Sequence, residues 1–429
     1  LKDQGVLLEL PLHMGRESCH SRPILLQNNR EKGRYFLMND NTIILQPRYV
    51  ADFQCDGNIC NAKCCKGWRI DIDLSTYQKY QRIKNPVMRR KIISSMEPNE
   101  IRSGYMQIKL DNTNGCPLIC KDNLCYIQRN LGADALSLTC QVYPRVVRYI
   151  GDCQLRILSM TCPVAAEKAL FRPQGMDIDV ISSKADASWK LALQTDKMDK
   201  NAETQLAANV ILGGLSILQN AHYTMEEKMV ILGLFLDKAD ELKLLSDGAE
   251  EISKLALFYN SAEFKNQIAE LFGNWEFYST AHGQFLSGIL SVLQEKKCFI
   301  DVSVIKEASW RYDENYLKFN NLIEEKYENV IDNYWQQEFL CHGFPFCLKG
   351  SFMHNYFAYL ISYKIWEMYL YGYLEAFGGE LKNEKLLDLV TRYSKKLNHI
   401  TKYLEYLVEH ITPFESEPIK LMQVLLRIK

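Results

Sequence analysis

The sequence predicts a mainly α protein, with a cysteine-rich α+β domain followed by an all-α domain. Two observations carry this. Ten of the fourteen cysteines fall between Cys55 and Cys162, in a stretch of short and mixed periodicity. From about Ala185 onward, apolar residues recur every three or four positions, the spacing of amphipathic helices. A third observation divides the two. Helical periodicity lapses, and Pro and Gly appear, over "FRPQGMDIDVISSKAD" (Phe171–Asp186). The resulting organisation is a leader over residues 1–37, a cysteine-rich domain over 38–172, a linker over 173–185 and an all-α domain over 186–429.

Bulk properties exclude several classes. At 429 residues the chain is long enough for two or three domains. Its net charge of −1 offers no global basic field for nucleic acid. The longest apolar runs, Val210–Leu218 and Met229–Leu236, are about half the roughly 20 residues a membrane span needs, so they read as buried helix. The chain opens on Leu1, and the stretch before Met38 has neither a sustained period nor the order of a secretory signal, so Met38 reads as the natural start. Ample apolar residues and no export signal place the chain in a reducing cytoplasm. There, clustered thiols point to metal or redox chemistry rather than to disulfides.

The elements follow in order. "NTIILQPRYV" is a short extended entry. Leu74–Ile83 reads as a helix with Ser75 as its N-cap, and Pro86 opens a second helix. Tyr105–Asp111 alternates as a strand. Cys125–Gly132 is a helix stopped by Gly132. Arg145–Met160 reads as a hairpin turning at Gly151-Asp152, and Pro163 suits the first turn of the helix in "CPVAAEKAL". Among the later helices, "NYLKFNNLIEEKYENVIDNYWQQEFL" and "KLLDLVTRYSKKLNHITKYLEYLVEHI" each read as one periodic segment. "LGG" at Leu212–Gly214 lies inside an apolar helical pattern and predicts close helix packing. No fixed repeat supports a solenoid.

The cysteine spacing is Cys55-x4-Cys60-x3-Cys64-Cys65, then Cys116-x3-Cys120-x4-Cys125, then Cys140, Cys153 and Cys162. Thiolates a few positions apart on loops can converge on one soft metal centre. Adjacent cysteines rarely both bind one ion, so one of Cys64 and Cys65 is free for a second metal, for the wall, or as a spare thiol. The spacing matches neither the paired pattern of zinc ribbons nor the ferredoxin runs, and leaves zinc and iron–sulfur both open. The plainer reading is a structural zinc knot. Scattered cysteines such as Cys298 are by default small buried hydrophobes.

Three stretches carry a resemblance: "LQPRYVADFQC…C…CCKGWRIDID" from Leu45, "GCPLICKDNLCYIQRNLGADALSLTCQVYPR" from Gly115, and "LSMTCPVAAEKAL" from Leu158. Together they resemble the bacterial flagellin lysine-N-methylase family. The first half also resembles a wider group of proteins with a zinc- or iron-chelating domain rich in paired cysteines. The resemblance continues through "YENVIDNYWQQEFLCHGFPF" (Tyr327–Phe346) and the Tyr-rich helix after it. It starts just before the "QPRYV" element, in keeping with a start at Met38. Cys55, Cys60, Cys64, Cys65, Cys116, Cys125, Cys140 and Cys162 fall on the family pattern, whereas Cys120 and Cys153 do not.

The resemblance implies methyl transfer from S-adenosylmethionine to lysine side chains of flagellin, and an iron–sulfur cluster, 4Fe-4S, held by four of the cysteines of that eight-residue motif, with zinc as the alternative metal. No glycine-rich strand-to-helix loop for a nucleotide cofactor is found, and the catalytic residues stay unassigned. Trp68 reads as a cover over the cluster. Asp71 and Asp73 read as acceptors behind the thiols or as holders of the turn before the helix. The aromatic helix over 352–377 reads first as core, and second as a wall for a lysine stem or a sulfonium cation. His342 and His354 read as structural or exposed rather than as ligands. The competing function is a zinc- or iron-binding module for metal handling or protein interaction, with no methylase activity.

Overall fold

The computed structural model describes residues 43–428, apart from 56–59, 61–62, 67–69, 100–104, 174, 183–192, 195–201, 296–310, 398–402 and 409–416. The leader over residues 1–37, Trp68 and Cys298 therefore lie outside the described residues. In chain order the first half comprises β1 (Ile43–Pro47), β2 (Asp71–Ile72), α1 (Leu74–Gln81), α2 (Pro86–Ser94), β3 (Met96–Pro98), β4 (Met106–Ile108), α3 (Tyr126–Leu131), α4 (Leu138–Val142), β5 (Arg145–Ile150), β6 (Cys153–Leu158), α5 (Pro163–Leu170), β7 (Ile178–Ser182) and β8 (Leu193–Gln194). The second half is helical: α6 (Thr204–Leu218), α7 (Met225–Leu242), α8 (Gly248–Tyr259), α9 (Ala262–Gly273), α10 (Ser279–Glu295), α11 (Tyr312–Lys326), α12 (Glu328–His342), α13 (Phe352–Ala376), α14 (Asn383–Leu397), α15 (Tyr403–Val408) and α16 (Pro418–Leu425).

The hairpin forms as expected. β5 and β6 pair antiparallel with Ile150 opposite Cys153, and Gly151 turns between them at φ 55°. Glycine is required there twice over, since φ is positive and a Cβ would collide with the Ala202 carbonyl. β1 lies between β6, parallel, and β7, antiparallel, in a five-stranded sheet of order β7-β1-β6-β5-β8. Part of the segment read as linker is thus strand: Ile178–Ser182 pairs along the whole of β1. Its β-branched residues find partners 131 to 137 positions away, which local periodicity cannot show. A second, three-stranded sheet has the order β2-β4-β3.

Asp73, not Ser75, caps α1. Its carboxylate accepts the Thr76 N–H at 2.8 Å and the Ser75 and Thr76 hydroxyls at 2.6 Å each. A carboxylate can accept several donors at once, so the serine becomes a donor to the cap rather than the cap itself.

The larger core runs without a break from Leu45, Leu155 and Leu158 of the five-stranded sheet into the helical half. The cysteine loops own a separate, smaller core built on Ile72, Tyr80, Ile92, Ile108, Leu118 and Ile127. Helix α13 is apolar all round and buried along nearly its whole length, as befits a central helix. The periodic segment ending in "EFL" is broken at Tyr327 (φ −121°, ψ −5°) into α11 and α12. The Tyr327 hydroxyl accepts the Leu381 N–H at 2.8 Å, anchoring the break to the turn before α14. At Gly214 a Cβ would meet the Phe339 ring at 2.6 Å, so the "LGG" stretch does mark close packing, here of α6 on α12.

Helix α12 also forms the seam with the first half, through amide side chains. Asn333 donates to the Leu170 carbonyl at 2.9 Å and Asn329 to the Arg172 carbonyl at 2.7 Å. Gln336 accepts the Met176 N–H at 3.0 Å, and Gln337 accepts the Tyr49 hydroxyl at 2.6 Å. The first three of these amides satisfy helix-end and loop backbone at the seam, and the fourth a tyrosine hydroxyl. No helix of the described residues is long and apolar enough to cross a membrane.

Candidate functional site

The two cysteine stretches are zipped together by backbone. The Cys116 N–H donates to the Cys65 carbonyl at 2.8 Å, and Lys66 and Gly115 form an antiparallel bridge. Cys64 and Cys65 sit half-buried on a short 3-10 turn, Lys63–Cys65, with their sulfurs 3.8 Å apart. Cys116 is buried at the edge of the smaller core. Cys120 and Cys125 flank a tight turn in which the Cys120 N–H donates to Leu124 at 2.8 Å and the Asn123 N–H returns to Cys120 at 3.0 Å. Cys125 precedes α3, Cys140 lies within α4, and Cys162 precedes α5. Cys60 and Cys162 belong to the larger core, and Cys55 is exposed.

Electrostatics shows which thiols share a neighbourhood. The charge of Cys64 acts on Cys65, Cys116, Cys125, Cys140 and Cys162, and that of Cys60 acts on Cys162. Cys65, Cys116, Cys125, Cys140 and Cys162 thus feel the charge of Cys64, although Cys60 and Cys162 belong to the larger core and Cys116 to the smaller one. The hydrogen bond from Cys65 lowers Cys64 to about 7, and it raises Cys65 correspondingly, the first proton leaving the pair from Cys64. Burial pushes Cys116 up to about 11, and Cys140 and Cys162 up to about 12. Backbone N–H groups of Ile127 and Gln128 partly offset burial at Cys125, as those of Val164 and Ala165 do at Cys162. Cys153 differs: burial alone raises its thiol, with no cysteine acting on it. It is a core residue of β6; far along the chain, Cys341 on α12 is likewise buried, and Cys347 is half-buried beside Asn355 of α13.

Among the described residues, no three His, Cys, Asp or Glu side chains are grouped closely enough to hold a metal ion. The donor set is nevertheless the right one for a soft metal. It is made of thiols alone, on loops and element ends apart from Cys140 within α4, in surroundings that penalise an uncompensated thiolate.

The other residues singled out from sequence have structural partners. Asp73 caps α1, and Asp71 accepts the Asn99 amide at 2.9 Å. His342 faces Glu338 at 3.0 Å. Most aromatics of α13 are core, including Tyr356, Tyr359, Tyr369 and Tyr373.

Sequence reasoning missed a charged centre inside the helical half. The Lys364 ammonium, wholly buried on α13, is held by Glu226 at 2.6 Å and Glu367 at 2.9 Å. The Tyr312 hydroxyl donates to Glu367 at 2.6 Å. Burial opposes the charge on Lys364, but the two carboxylates overcome it and hold its pKa above the ordinary range. Burial raises Glu226 despite that lysine. The only sequence signal was a lysine and a glutamate three apart in an otherwise apolar helix, Lys364 and Glu367.

Residues 214–422 match the family model described as the FliB lysine N-methylase C-terminal domain. The chain is 35% identical over 137 residues to the flagellar biosynthetic protein FliU of Salmonella muenchen, covering 31% of this chain and 80% of that one. It is equally similar, over 137 residues, to proteins named lysine-N-methylase from Salmonella choleraesuis and Salmonella typhimurium. There the match spans about a third of the relatives' length, 34% in each. No solved structure matches the chain. The helical half thus carries a domain of the lysine N-methylase class. The chain belongs to the flagellin lysine-N-methylase family.

Proposed function

We propose that this chain transfers methyl groups from S-adenosylmethionine to lysine side chains of flagellin, and that its N-terminal cysteines hold an iron–sulfur cluster. The observation that carries the reading is the pairing of a methylase-family helical domain with two cysteine stretches zipped together by backbone at the Cys64-Cys65 turn. Cys116, Cys125, Cys140 and one of Cys64 and Cys65 are the residues that would hold the cluster, with Cys60, Cys162 and Cys55 as further thiols of the same motif. When bound, the cluster supplies a soft cross-link between the two cysteine stretches and offsets the burial that now disfavours their thiolates.

The transfer itself is a displacement. The bond between the lysine nitrogen and the methyl carbon forms as the sulfonium–methyl bond breaks, and S-adenosylhomocysteine leaves. Only the neutral amine can attack. A lysine with an ordinary pKa near 10.4 must therefore give its proton to a carboxylate or to water. The helical half supplies carboxylates in partly dry surroundings, Glu226 foremost.

The test uses the full chain purified without oxygen. The expected result is a brown, iron-containing protein that transfers labelled methyl from S-adenosylmethionine to flagellin. Cys116→Ser and Cys125→Ser should strip the iron, whereas Cys153→Ala and Cys341→Ala should keep it. A colourless zinc protein that leaves flagellin unmodified would overturn the reading in favour of a metal-binding interaction module.

A further inference from the structure

The paired helices α1 and α2 of the cysteine module concentrate positive charge. Between Leu74 and Met96 the chain carries six cations, Lys79, Arg82, Lys84, Arg89, Arg90 and Lys91, and no carboxylate. All six are exposed, and among the described residues none stands in an ion pair. Exposed cations of the helical half are paired instead, Lys254 with Glu250 and Glu251, Arg392 with Asp388 and Lys420 with Glu417. The carboxylates flanking the two helices are engaged elsewhere. Asp73 caps α1, and Glu97 accepts the Gln107 amide at 2.8 Å.

Helix ends account for only part of this charge. Lys79 and Lys91 lie in the last turns of α1 and α2, and Arg82 closes α1, positions where the helix dipole favours a cation. Arg89 reaches back to the Ile83 carbonyl at 3.3 Å. Lys84 and Arg90 serve neither purpose. The whole chain is uneven in the same sense. Residues 43–182 carry 19 lysines and arginines against 13 acidic residues, whereas residues 183–429 carry 26 against 34.

The balance selects the kind of anion. An extended polyanion, a duplex or a bilayer, must reach past the helix pair towards the acidic remainder, which repels it within a Debye length of about 10 Å. A short acidic segment avoids that repulsion. The nine residues of α2 measure about 13 Å, which about four residues of extended chain span. Val87, 74% exposed, stands one turn before Arg90 and Lys91 and offers an apolar contact among the cations. The surface also adjoins the cysteine motif. The Lys91 ammonium lies 3.9 Å from the centre of the Tyr126 ring, and Tyr126 directly follows Cys125.

We infer that the exposed face of α1 and α2 is a docking surface for an acidic segment of the protein substrate, held beside the cysteine motif. The occupant's role as substrate rests on the methylase reading, whereas the charge preference does not. Docking of this kind contributes equally to the bound substrate and to the transition state, so it lowers KM and leaves kcat alone.

The probe is a labelled short peptide of alternating glutamate and leucine, titrated into the full chain by fluorescence anisotropy against its glutamine counterpart. The acidic peptide should bind about tenfold more tightly or better at about 50 mM salt, and lose that advantage by about 300 mM. Arg82→Gln, Lys84→Gln and Arg90→Gln together should remove the advantage, with the thermal midpoint as the check on folding. Lys254→Gln, Lys326→Gln and Lys420→Gln together change the net charge equally in the helical half and should leave binding as it was. With flagellin, the first triple variant should raise KM roughly three- to tenfold at unchanged kcat. Equal affinity for the two peptides, or equal loss in both triple variants, overturns the surface. Tighter binding of duplex DNA or of phosphatidylserine vesicles than of the acidic peptide also overturns it, by making this a nucleic-acid or membrane face. An unchanged KM for flagellin overturns the substrate as its occupant. The methylase reading fails separately. Peptide binding that depends on Arg82, Lys84 and Arg90, in a chain that leaves flagellin unmodified, keeps the surface and removes the reaction.

Discussion

The Lys395 ammonium on α14 lies 2.9 Å from the backbone carbonyl of Lys66, the residue directly after the Cys64-Cys65 pair. A helix near the C-terminal end of the chain is thereby tied to the cysteine turn near its start. The same positive charge favours the Cys64 thiolate. Because Lys395 is exposed, the contact contributes little to global stability, about 1 kcal/mol at most. Lys395→Met should leave the thermal midpoint nearly unchanged but speed amide exchange at Cys65 and Lys66. Unchanged exchange there would show that the tether does not order the turn.

The packing of α6 on α12 makes a paired prediction about glycine. A Cβ at Gly214 would meet Phe339 at 2.6 Å, whereas one at Gly283, on α10, would meet nothing within 4 Å. Gly214→Ala should destabilise by about 1–3 kcal/mol through overpacking. Gly283→Ala should stabilise by up to about 1 kcal/mol through helix propensity. Urea midpoints measure both, and the same sign for the two substitutions would contradict the packing described.

Lys364 is wholly buried between Glu226 and Glu367. Lys364→Met leaves two buried carboxylates without their cation, and should cost about 3–5 kcal/mol in equilibrium unfolding. Adding Glu226→Gln should recover part of that loss by removing one of the stranded charges. A single variant as stable as the parent would mean that the carboxylates reach water.

His282 sets a pH dependence. Its ring is fully buried, and its Nδ1–H donates to the Val424 carbonyl at 2.8 Å while Nε2 has no partner. Burial, with Lys364 and Arg427 nearby, lowers it to about 4. Between that value and the ordinary 6.5 the unfolded chain binds a proton that the folded chain refuses, so stability falls as the pH drops through this window. The loss should reach roughly 2–3 kcal/mol by pH 4. His282→Gln should flatten the slope of stability against pH over this window. An equally steep slope in the variant would place the titration elsewhere.

Local pattern was enough for several elements. The hairpin at Gly151 was legible because its turn chemistry and strand alternation are local, and Pro163 marked the start of α5 for the same reason. The aromatic helix over 352–377 was readable from its apolar run. Tertiary structure alone decided the rest. Asp73 outcompeted Ser75 for the cap because a carboxylate accepts several donors. Ile178–Ser182 became strand only because β1 offered it an edge. Tyr327 broke a continuous helical period because its hydroxyl is held by Leu381. The recess lined by Glu226, Tyr316, Glu328 and Trp366 draws them from four separate helical regions. Periodicity reports which face of a helix is apolar, but not which distant carboxylate will meet a lysine within that core, because that meeting is made only when the helices pack.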